Sequence, residues 1–118
     1  MQVQTQMSFV SDTGPVISPP GFNASENATG KVVFRCTFMP PTAHLLWRTM
    51  INGTVLKSNL LEELGISWNE TMSNKKETYI EISIRPTAEN DRTFLECHVN
   101  ISNTLLRSSI VEFRVQGK

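Results

Sequence analysis

Residues 90–97 read NDRTFLEC and end on Cys97, one of only two cysteines in a chain of 118 residues; the other, Cys36, lies sixty-one positions earlier. Around Cys97 the side chains alternate, with Leu95, Cys97 and Val99 on one side and Phe94, Glu96 and His98 on the other. A repeat of two is the signature of a half-buried strand. The same period surrounds the other cysteine in KVVFRCTF, where Val32, Phe34, Cys36 and Phe38 share a face. It recurs in YIEISIR, with Ile80, Ile82 and Ile84 set against Glu81, Ser83 and Arg85. LLWRTMI groups Leu45, Trp47 and Thr49, and SIVEFRV groups Ser109, Val111, Phe113 and Val115. Five strands follow from pattern alone.

Turn chemistry separates them: Pro40-Pro41, Asn52-Gly53, PTAEND over 86–91 and NISNT over 100–104. Asn-Gly tolerates the positive φ of a type I′ turn, so a strand over Thr54 to Lys57 is expected to pair back on LLWRTMI. Shorter strands are expected at Val16 to Ile17, broken by Pro19-Pro20, and at Ile66 to Thr71. SNLLEELG differs: Asn59 as cap, Glu62 three residues on and Gly65 as terminator predict a short helical turn. Residues 1–12 read as a polar, disordered lead-in and 13–118 as a single domain. Many short strands with apolar faces must pack as two sheets, because one sheet cannot hide them all.

Eleven basic and eleven acidic side chains balance, which removes the electrostatic footprint of a nucleic-acid binder. No apolar run is long enough to span a bilayer, and MQVQTQMSFV has neither half of a signal peptide, so this segment is not expected to enter the membrane and any targeting or anchoring element is expected elsewhere. Five of nine asparagines stand in the N-glycosylation pattern, at Asn23, Asn27, Asn52, Asn69 and Asn100. Composition alone would place about two. The excess points to the secretory pathway, where N-linked glycans are added and two cysteines pair; in a reducing cytosol the same two would be separate buried thiols. A bridge closing so long a loop would stabilise the fold by roughly 4 kcal/mol. Two cysteines and two histidines, His44 and His98, without finger-like spacing, make no metal site, and no cofactor motif occurs.

Cys36 on the second strand, Trp47 eleven positions later, YIEISI before the last corner and Asp91 six positions before Cys97 together resemble the immunoglobulin superfamily, over about residues 18–115. The resemblance implies an all-β, immunoglobulin-like two-sheet Greek-key sandwich with one inter-sheet disulfide, Cys36 to Cys97, and with Trp47 packed beside it. The Asn52-Gly53 hairpin inclines it to the variable-like rather than the intermediate set. Two departures stand out. Leu95, a core residue, occupies the place of the usual corner tyrosine, and no arginine obviously faces Asp91, leaving Lys75, Lys76, Arg85 or its own turn as partners.

With no phosphate loop, nucleophile elbow or paired imidazoles, the chain is not expected to be an enzyme. Binding remains. Strand parity turns Leu46, Arg48, Met50, Phe94, Glu96, His98, Ile110, Glu112 and Arg114 outward on one sheet, the G-F-C-C′ sheet of the resemblance. This mixture of apolar groups and arginine matches protein interfaces. Asn52 and Asn100 are expected near opposite ends of that sheet, and Asn23, Asn27 and Asn69 on the other; Asn69 outward turns Ile66 and Trp68 inward. The expected role is a non-catalytic, extracellular recognition or adhesion domain of a surface receptor or secreted glycoprotein, binding another protein or a second copy of itself. A spacer module in a tandem ectodomain and a virus-encoded immune decoy share the same features. Cross-strand pairing of Arg48 or Arg114 with Glu96 or Glu112 would instead spend the charges internally.

Overall fold

The computed structural model describes residues 14–26, 30–39 and 44–117. The lead-in over 1–12, the sequon at Asn27 and the Pro40-Pro41 turn lie outside the described residues. Within these residues eleven strands form: β1 Val16–Ser18, β2 Phe22–Ser25, β3 Val32–Phe38, β4 Leu45–Ile51, β5 Thr54–Val55, β6 Ile66–Trp68, β7 Met72–Ser73, β8 Thr78–Ile84, β9 Thr93–Ile101, β10 Thr104–Arg107 and β11 Val111–Gln116. Among the described residues one short helix, α1, spans Ser58–Glu63 and a 3-10 turn spans Ala88–Asn90.

The strands make two sheets. One runs β1-β3-β8-β6, with β7 also on β8; the other runs β2-β11-β9-β4-β5, with β10 also on β9. All pairings are antiparallel except β2 with β11. The predicted inward sets are the core: Phe34, Cys36 and Phe38 on β3, Ile80, Ile82 and Ile84 on β8, Leu45 and Trp47 on β4, Leu95, Cys97 and Val99 on β9, Val111, Phe113 and Val115 on β11. Cys36 and Cys97 are bonded, with Cα atoms 6.4 Å apart, joining the central strands of the two sheets. Phe34 meets Phe113 edge-to-face at 6.0 Å and Phe22 at 6.5 Å, a ring contact across the layers that adds to area burial. The domain is all-β, two sheets with one disulfide between them.

Several local expectations are corrected. Asn23 does not lie on the five-stranded sheet: Pro19-Pro20 ends β1, and the chain crosses so that β2 adds to β11, with Asn23 in register with Arg114. Ser109 does not share the inward face of β11. The strand is interrupted after Arg107, Ser108 takes the buried place, and its hydroxyl accepts the Cys97 N–H at 2.9 Å while donating to Ser109 O. Asn59 does not cap α1. Lys57 precedes the helix in extended geometry and makes no side-chain cap, and its carbonyl accepts from Leu60 N and Leu61 N, because this start carries Leu61 into the core. Gly65 ends the helix as expected, at φ +76°. β5 stops at Val55, and the strand expected to Thr71 breaks after Trp68.

Candidate functional site

The outward face of the six-stranded sheet is built by register. Leu46 stands beside His98, Arg48 beside Glu96, and Met50 beside Phe94, which stands beside Glu112 on β11. Directly paired residues point the same way, so the parity that buries Trp47 and Cys97 fixes this set on the solvent side. Leu46 is 65% exposed and Arg48 fully outward, whereas Met50, Phe94 and Glu112 are half-buried by their neighbours. The hairpin at Asn52 and Gly53 has the expected positive φ at both residues and presents Val55 next to Met50.

Two of the nine sequence-predicted residues belong to the margins. Arg114 lies toward β2, where its Nε donates to Asp91 Oδ1 at 3.3 Å and lies 3.9 Å from Glu112 Oε2. Ile110 is exposed, but in the interruption between β10 and β11, where it lines a groove along Pro15 to Ile17 instead of the ladder facing Phe94. Sequence pattern missed β10 altogether. A tight turn at Ser102 and Asn103, both at positive φ, folds TLLR back onto β9 and sets Arg107 beside His98 and Leu105 beside Asn100. Ser-Asn is a weaker turn signal than Asn-Gly, and TLLR is too short to show a period.

The charges are arranged asymmetrically. Glu96 was expected to face water, yet only 7% of it is exposed, and its Oε1 accepts a hydrogen bond from His98 Nε2 at 2.8 Å. His98 is half-buried, not a free surface residue. The cross-strand pair open to Arg48 is thereby not made: among the described residues Arg48 has no ion pair or hydrogen-bonded side chain. A cation without a partner sits between Leu46 and Met50, at the centre of the face.

Asp91 finds neither lysine nor Arg85. Its Oδ1 accepts from Val115 N at 2.7 Å and from Arg114, and these bonds, the backbone one foremost, hold its carboxyl below the ordinary aspartate range. The corner left without a tyrosine hydroxyl is tied by a residue that sequence reasoning passed over. Buried Asn90 donates through Nδ2 to Leu64 O and Arg85 O, both at 2.8 Å, and Thr93 Oγ1 donates to Asn90 O at 2.7 Å. Its only signal was membership of a turn-forming run.

Asn52 lies at one end of the sheet and Asn100, exposed and outward, at the other, while Asn23 flanks it at the β2 edge. Asn69 is exposed between β6 and β7, and Trp68 is half-buried in register with Ile82, inward as expected. No group of histidine, cysteine, aspartate and glutamate able to hold a metal occurs among the described residues. No helix described is long and apolar enough to cross a membrane. No known protein-family model matches the chain, and no curated protein matches it in sequence.

Proposed function

We propose that this is a non-catalytic, extracellular recognition domain of immunoglobulin type, binding a protein through the outer face of its six-stranded sheet. Support for the family reading comes from strand order. The order of the two sheets is the one expected for the A-B-E-D and A′-G-F-C-C′ layers of a variable-like Greek-key sandwich, and Trp47 on β4 stands in register with Cys97 of the bridge. Support for the compartment comes from the bridge and the five sequons.

The observation that carries the binding reading is Arg48. A desolvatable guanidinium flanked by Leu46 and Met50, with sequons at the rim and none at the centre, has the make-up of an interface anchor. A face that served only as a solvated surface would gain by closing the register pair to Glu96. The experiment is a screen of the secreted, disulfide-bonded domain against surface proteins and against itself, repeated with Arg48→Glu. A binder weakened by about 30-fold or more, the scale of a central anchor, supports the face. A binder indifferent to the substitution refutes it, and a domain that binds nothing supports the spacer reading.

A further inference from the structure

β4 is covered unevenly. β9 pairs with it from Leu45 to Ile51, but on its other side β5 reaches only Met50 and Ile51, so among the described residues the edge at Leu45 to Trp47 has no strand beside it. An open edge invites pairing with another chain. Here one side chain occupies it: Thr71 Oγ1 accepts from Leu45 N at 3.3 Å and donates to Leu45 O at 3.2 Å. Thr71 is the third residue of the sequon Asn69-Glu70-Thr71. Its hydroxyl therefore draws the loop between β6 and β7, and Asn69 with it, against the edge of the opposite sheet.

Beside this tie is a cleft of about 400 Å³, lined by His44, Leu46, Trp68, Asn69, Glu70 and Ile80 among others. Trp68 is half-buried, and besides this cleft it lines a second recess with Leu61 and Ile66, so protein leaves part of the side chain bare. The lining is largely apolar, with polar groups of His44, Glu70 and Asn69 among it. A hexopyranose has matching chemistry: one face of C–H groups that packs on an indole, and a rim of hydroxyl and amide groups that takes hydrogen bonds. Because Asn69 itself lines the cleft, a sugar on its amide is already held at the site. It reaches the indole without the translational cost a free ligand meets.

We propose that this cleft is the seat of the first N-acetylglucosamine of a glycan on Asn69, packed on Trp68 and closing the open edge of β4. The inference rests on the secretory reading above. It narrows the recognition face, because a sugar seated here also covers Leu46 and leaves Arg48, Met50 and Phe94 as its accessible centre.

The test uses the full chain secreted from a glycosylating host and trimmed enzymatically to one N-acetylglucosamine per site. Trimming is expected to leave Tm unchanged, whereas Asn69→Gln lowers it by about 2–5 °C. The acetyl and ring protons of the Asn69 sugar are expected upfield of those at the other sites, shifted by the indole ring current, and that readout needs no substitution that threatens folding. In a Trp68→Leu background the Asn69→Gln effect is expected to vanish. A sugar on Asn69 with unshifted resonances, and an Asn69→Gln protein melting with the wild type, overturn the seat. Sugar on the other sequons but not on Asn69 overturns the seat alone; sugar on none of them overturns the secretory reading with it.

Discussion

On the outer face of the five-stranded sheet Arg35 reaches Glu81 Oε2 through Nε at 2.9 Å and Nη2 at 2.7 Å, and its guanidinium lies 4.2 Å from the centroid of the Tyr79 ring. On the outer face of the six-stranded sheet Arg48 stands in register with Glu96 and does not pair with it. Both arginines sit on long strands opposite a glutamate of the neighbouring strand. They differ in what else competes for the carboxylate. Glu81 has no histidine nearby in register, while Glu96 has His98 two residues along its own strand, on the same face and close enough to take the bond. One face satisfies its charges internally; the other keeps a cation available. A patch whose polar groups are already matched gains little by meeting a partner, and this difference is what the proposed recognition role of the six-stranded face rests on.

Both outer faces exist only while the two sheets are held back to back, and removing Cys36 and Cys97 together undoes that arrangement with the largest effect. The double alanine variant is expected to lose roughly 4 kcal/mol in chemical denaturation, enough to unfold a marginal domain. Intact mass with and without reductant gives the direct check on the bridge. Next in size, Arg48→Glu is expected to weaken partner binding by about 2 kcal/mol or more while leaving the denaturation midpoint near that of the wild type. Arg35→Ala should do the reverse. It is expected to cost only about 0.2–1 kcal/mol of stability, since the pair with Glu81 is exposed, and to leave binding intact. If the two substitutions exchange these outcomes, the recognition face is on the other sheet.

The smallest effect concerns the margin where Asp91 meets β11. Because its folded pKa is depressed, by the Val115 N–H first and by Arg114 after it, the stability it contributes is full above the ordinary aspartate value and drains as pH falls through the lowered folded value. Asp91→Asn is expected to flatten the fall of Tm with pH below about pH 4, read by thermal melts across the acid range.

Long strands were legible because their side chains obey one rule over seven or more residues: β3, β4, β8 and β9 each declare their buried face in the alternation itself. Asn52-Gly53 was legible for a different reason, since few residue pairs accept positive φ twice in succession. The misreadings fall where the controlling interaction is long-range. Nothing within Phe22–Ser25 says that it will lie parallel to a strand ninety residues away. The slip at Ser108 and Ser109 is fixed by the Cys97 amide, and the start of α1 by the burial of Leu61. The candidate face was readable as a list of outward residues but not in its electrostatics. Parity says that Arg48, Glu96 and His98 share a surface, yet it cannot say which of two neighbouring N–H donors the carboxylate will take, and that choice sets whether Arg48 is paired within its own face.

The parallel alignment of β2 with β11 bears on mechanics. Phe22 to Ser25 run beside Phe113 to Gln116 in the same direction, so the chain joins this edge of the sheet at one end and leaves it at the other. Tension drawn along the polypeptide therefore loads that hydrogen-bonded ladder in shear, all rungs at once. An antiparallel edge would open like a zipper, one rung after another.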